Sequence, residues 1–146
     1  MKHKSLLNHV LPLLVIAAAT ACGGTEGANT DLPTPETLSA TLNDGAAPDG
    51  VTLESIAEGR ILFNARATCS ACHGPNGKGG QLAPNLADDV WLNSDGSYAG
   101  IIEVIEAGVL EPKEYPGLML PRGGLGLSDE EVSSLAAFIW SLGVRG

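Results

Sequence analysis

Three stretches of the chain carry apolar residues at helical spacing, and each follows a hydroxyl residue suited to capping it. Thr52 or Ser55 opens the first, in which Ile56, Gly59 and Phe63, with Ile61 and Leu62, form an apolar face that runs to Ala67. Ser97 precedes the second, whose stripe is Ile101, Ile102, Val104 and Ile105 and whose end is Gly108. The third starts at Ser128, which with Glu131 reads as a capping box, and continues through Leu135, Phe138, Ile139 and Leu142 to Gly143. The first and last helices are expected to cross at Gly59, where the missing side chain admits Phe138 or Leu135.

The first fifty residues follow a different pattern. Lys2, His3 and Lys4 precede an apolar run from Val10 to Ala19 that contains Pro12, a basic segment and short apolar core of the kind an export signal has. That run is too short to span a bilayer. Ala19-Thr20-Ala21-Cys22 resembles the lipobox of bacterial lipoproteins, which implies removal of residues 1–21 and a lipid on Cys22. The same small residues suit an ordinary signal peptidase, which would leave a soluble periplasmic chain with a free Cys22. Residues 22–50 show no apolar periodicity and are rich in Gly, Pro, Thr and acidic side chains, so a flexible tether is expected there, ahead of one folded domain at 51–146. A tethered lipid anchor would concentrate that domain near membrane-bound partners.

Charge and composition narrow the partners. The 146 residues include 8 Lys and Arg against 17 Asp and Glu, a formal charge of −9. That argues against binding nucleic acid through phosphate neutralisation and favours a basic or uncharged partner. With only 2 Trp, 2 Tyr and 2 Phe, the core lacks its usual bulky fillers, and something other than side chains is expected to occupy it.

The strongest chemical signal is Cys69-Ser70-Ala71-Cys72-His73, because C-x-x-C-H is the attachment pattern of c-type haem. On one helical turn, residues three apart share a face, so both thiols reach the vinyl groups of one macrocycle while His73 meets the iron. A thioredoxin-like redox pair would want a βαβ setting, whereas helix precedes Cys69 here and a glycine-rich loop follows His73. A structural zinc site lacks a fourth ligand: His3 and His9 fall in the export signal and Cys22 in the tether. Apart from the initiator, Met119 is the only methionine, and it is the candidate sixth ligand.

From Thr52 onward the chain resembles the class I c-type cytochromes, in particular small bacterial monohaem domains that serve respiratory oxidases and dehydrogenases. The likeness rests on Gly59 and Phe63, on C-x-x-C-H followed by Gly74, Gly77 and Gly79, and on Ala83-Pro84-Asn85-Leu86 with Asp89 and Trp91. It extends to the methionine loop and to Gly123-Gly124 ahead of Leu127-Ser128-Asp129-Glu130-Glu131. The resemblance implies an all-α class I cytochrome c fold packed around one haem c bound through Cys69 and Cys72. It also implies that the Pro84 carbonyl accepts the ring N–H of His73 and that Trp91 lies near a haem propionate. One departure stands out. The family commonly has methionine directly before proline, and aligned so Leu120 takes that place and Met119 stands one residue early. Either the loop absorbs the shift, helped by Gly117 and Gly123, or the sixth position is open to small ligands.

The function expected is therefore a one-electron carrier, not an enzyme, exported and lipid-anchored on the periplasmic side, with an oxidase, a dehydrogenase or another cytochrome as partner. The processed chain has no histidine besides His73, which argues against haem peroxidase chemistry. The alternatives are a gas-binding or sensory haem domain, if Met119 does not ligate iron, and a fixed relay module of a larger complex. Lys78, Lys113 and Arg122 fall in the loops expected at the haem edge, an asymmetry suited to steering a partner.

Overall fold

The computed structural model describes residues 32–144. The expected export signal and Cys22 lie outside them. The described residues form helices and loops with no strand, in the order α1 (Pro35–Asn43), α2 (Leu53–Ile61), α3 (Ser70–His73), α4 (Tyr98–Ala107) and α5 (Asp129–Leu142).

The three helices expected from the sequence form where their caps place them. Thr52 and Ser55 exchange side-chain and backbone hydrogen bonds of 2.9 and 3.1 Å at the start of α2. Ser128 and Glu131 do the same at α5, at 2.9 and 3.2 Å. Ser97 Oγ accepts from Gly100 N at 3.0 Å to open α4, and Gly108, at φ 72°, closes it. Each pair satisfies amide groups that a helix end otherwise leaves without partners.

α2 and α5 cross with their backbones in close approach. A methyl group on Gly59 would overlap the Ser134 carbonyl and lie 2.8 Å from Phe138 Cβ, so the expected contact with Phe138 is present and Ser134 is the nearer neighbour. Beside the crossing Phe63, fully buried, packs on Phe138 with ring centroids 5.3 Å apart. Val132, Leu135, Ala136 and Ala137 of α5 complete the centre of the core.

Two features differ from the sequence expectation. Part of the proposed tether is ordered: Thr34 caps α1, Pro35 begins it, and Leu38 is buried against the core with Leu42 packed beside it. The physical reason is local, a capping threonine and a first-turn proline followed by two leucines four apart, a signal only one turn long. In addition, α2 does not run straight to Ala67. It widens over Leu62–Arg66 into a π-turn, closed by a bond of 2.8 Å from Ala67 N to Leu62 O. Thr68 follows with φ 53°, a value rare for a β-branched residue. This sharp exit turns the chain into α3.

Candidate functional site

α3 is a single turn. His73 N donates to Cys69 O at 3.0 Å and Cys72 N to the same carbonyl at 3.2 Å, which sets the two thiols and the imidazole along one short helical segment. Both cysteines are free and half-buried. Burial pushes the Cys69 thiol above its ordinary value; a backbone hydrogen bond opposes this and the neighbouring Cys72 adds to it. A dithiol redox centre relies on a depressed thiol, so the direction here is opposite to that chemistry. Among the described residues no group of three or more His, Cys, Asp and Glu is placed to hold a metal.

The loop after His73 folds back onto the ring. Gly77 O accepts from Leu86 N at 2.7 Å and Gly80 N donates to Ala83 O at 3.0 Å. A side chain on Gly79 would meet the Asn85 backbone, and its φ of 80° suits glycine alone. The fold-back brings the Pro84 carbonyl to 3.0 Å from His73 Nδ1. That contact fixes the tautomer: Nδ1 carries the proton and Nε2 keeps its lone pair for a metal. Burial lowers the His73 pKa, and the Pro84 bond offsets part of that shift.

Met119 reaches the same region from the other end of the sequence. Its N–H and C=O pair with Val109 at 3.0 and 2.7 Å, and Gly117 N donates to Leu82 O at 3.0 Å. A side chain on Gly108 would run into this segment, 2.7 Å from Pro121 N, so the glycine that ends α4 also makes room for the methionine loop. The extended backbone alternates its side chains: Leu118 and Leu120 are 60% and 51% exposed, while Met119 packs against the core.

These segments enclose a cavity of about 290 Å³ with a largely apolar lining. Cys69, Cys72, His73, Pro84, Trp91 and Met119 all line it, along with Phe63, Ile101, Ile105, Leu135 and Ile139 from the helices. The residues fit a flat apolar group carrying a metal: two free thiols, one imidazole held by its far nitrogen, and one thioether share an apolar wall. Trp91 is half-buried there, its indole over Gly96.

Charge at the mouth differs from the expected basic ring. Arg122 lines the cavity but donates to Glu106 at 2.9 Å and Asp129 at 2.6 Å, so its charge is neutralised within the domain. Lys113 is next to Glu114, which also lines the opening. Sequence reasoning missed this pairing because its partners lie on two different helices.

Residues 56–143 match the family model described as Cytochrome c. Over 122 residues the chain is 35% identical to the Cbb3-type cytochrome c oxidase subunit FixP of Rhizobium meliloti (strain 1021), covering 77% of this chain and 37% of that protein. Over 98 residues it is 35% identical to the Cbb3-type cytochrome c oxidase subunit CcoP of Azospirillum brasilense, covering 62% of this chain and 32% of that protein. The chain thus spans about a third of the length of these curated relatives. Among solved structures, Cytochrome CL from the marine methylotrophic bacterium Methylophaga aminisulfidivorans MPT aligns with a TM-score of 0.49 at 24% identity, covering 81% of this chain and 69% of that one.

Proposed function

The chain belongs to the cytochrome c family, which implies a covalently bound haem c, and on that premise we propose a one-electron carrier with the haem joined to Cys69 and Cys72 and ligated by His73 and Met119. The observation that carries this reading is the convergence on one apolar cavity of both thiols, the imidazole oriented by Pro84, and the thioether. Bound there, the group would supply an Fe(III)/Fe(II) couple, and ligation by one thioether and one imidazole would favour the ferrous state.

The protein's own part is to hold and insulate. Pro84 keeps the His73 ring in one tautomer and one orientation, which limits rearrangement between oxidation states. The apolar helix faces that line the cavity would exclude water from a bound haem and raise its potential further. Trp91, which lines the cavity, would offer its indole N–H to a haem carboxylate. Leu118, Met119 and Leu120 all line the cavity, and of the three only Met119 carries an atom that can ligate iron, which supports it as the ligand despite its one-residue offset from the proline.

As relatives the chain has oxidase subunits, and the partner proposed is a membrane oxidase of the cell envelope, approached from a lipid on Cys22 through the segment ahead of α1. The test is to produce the full chain in a bacterium with a c-type maturation system and record the ferric spectrum of the wild type and of Met119→Ala. Methionine ligation predicts a weak absorption band at the red end that disappears in the variant. A high-spin wild-type spectrum without that band would instead favour the gas-binding reading. Reduced protein should be reoxidised by membranes containing a cbb3-type oxidase; permanent co-purification with one complex would favour the fixed relay.

A further inference from the structure

We infer that Arg122 is a positioning residue for Met119, pinning the methionine loop to the ends of α4 and α5 so that the sulfur stays on the iron. The inference rests on the reading of Met119 as ligand. Only Leu120 and Pro121 separate the two residues, and proline fixes its own φ, so the segment between them is a short, stiff lever. Its near end is held by the Met119–Val109 bridge. Its far end is held by one guanidinium that donates to the Leu127 carbonyl at 2.6 Å, to Asp129 at 2.6 Å and to Glu106 at 2.9 Å. Glu106 lies in the last turn of α4, Asp129 is the first residue of α5, and Leu127 is buried just before it. The planar fork of arginine meets three acceptors on different elements at once, which a lysine point charge does not.

Backbone geometry points the same way. Arg122 has φ 53° and is followed by Gly123 at 65° and Gly124 at 75°, a left-handed run in which glycine is the default occupant. A long charged side chain in the first of these positions is held against its backbone preference by what its head group binds. Without the guanidinium, the Glu106 and Asp129 carboxylates it bridges would repel across the base of the loop.

The experiment uses ferric holoprotein of the full chain and excess imidazole as a competing ligand, following loss of the red-end band in time. Arg122→Gln should speed that loss roughly three- to tenfold, with Arg122→Lys between it and the wild type, at unchanged helical circular dichroism. Arg66→Gln is the control: it breaks the Arg66–Glu131 ion pair at the same end of α5 without touching the methionine loop, and it should leave the rate unchanged. Should Arg122→Gln not mature, the double variant Glu106→Gln, Asp129→Asn removes the acceptor charges instead and should accelerate exchange in the same direction. The inference is overturned if the Arg122 and acceptor variants stay within about twofold of wild type, or if Arg66→Gln accelerates exchange equally. A wild type with no red-end band overturns the Met119 reading itself, and that outcome is visible before any variant is made.

Discussion

Substituting Gly59 by alanine adds one carbon where α2 and α5 have no space for it. The new methyl would stand 2.5 Å from the Ser134 carbonyl carbon and 2.8 Å from Phe138 Cβ, where ordinary contact begins at 3.4 Å, so the helices must part by at least about 0.9 Å. The obstacle is backbone, and a carbonyl in mid-helix has no rotamer to retreat into. Parting the helices loosens the Phe63–Phe138 contact and pulls on the π-turn that leads into α3. Alanine gains ~1 kcal/mol in helix propensity over glycine, while overpacking against a backbone carbonyl that cannot yield costs about 3 kcal/mol, the upper end of the usual range. A net destabilisation of about 2 kcal/mol is expected. Denaturant unfolding of the holoprotein, followed by circular dichroism, reads this as a lower midpoint at unchanged slope. A variant within about 0.5 kcal/mol of wild type would refute the close-approach reasoning.

Three further outcomes are expected. Met119→Ala should lower the midpoint potential by on the order of hundreds of millivolts in a redox titration, since it removes the thioether; an unchanged potential would remove Met119 from the coordination sphere. Gly108→Ala forces a side chain into φ 72° and against the segment ahead of Pro121, so it should lose the red-end band at room temperature while helical content stays, and retention of the band would contradict the crowding. In the haem-free Cys69→Ala, Cys72→Ala chain, burial holds the His73 pKa below its ordinary 6.5, so the unfolded state binds more protons and stability rises with pH. Helical signal should therefore fall as pH drops below about 6.5, and His73→Phe should abolish the His73 share of that dependence.

The sequence made legible what rests on local rules. α2, α4 and α5 announce themselves through Thr52, Ser97 and Ser128, and their apolar stripes point into the core. The glycines after C-x-x-C-H mark a loop that doubles back, and the Pro84 carbonyl meets the His73 ring at its end. What escaped depends on partners distant in sequence or on signals one turn long. α1 was hidden in a stretch of tether-like composition because two leucines do not establish a period. The π-turn leaves no mark in the apolar pattern, since Leu62 and Phe63 stay buried with or without it. Arg122 looked like a free surface cation because Glu106 and Asp129 reach it only when α4 and α5 fold together. That pairing also alters the docking picture: with Arg122 neutralised within the domain, ionic strength should slow partner association only weakly.

The proposed electron transfer depends on covalent attachment of one haem through two cysteines of the same turn. Intact mass spectrometry of the exported chain, purified and denatured, measures it most directly. The wild type should be heavier than its processed polypeptide by one haem, and Cys69→Ala with Cys72→Ala should return the bare mass with the colour lost. A colourless wild type at the bare polypeptide mass would contradict the account.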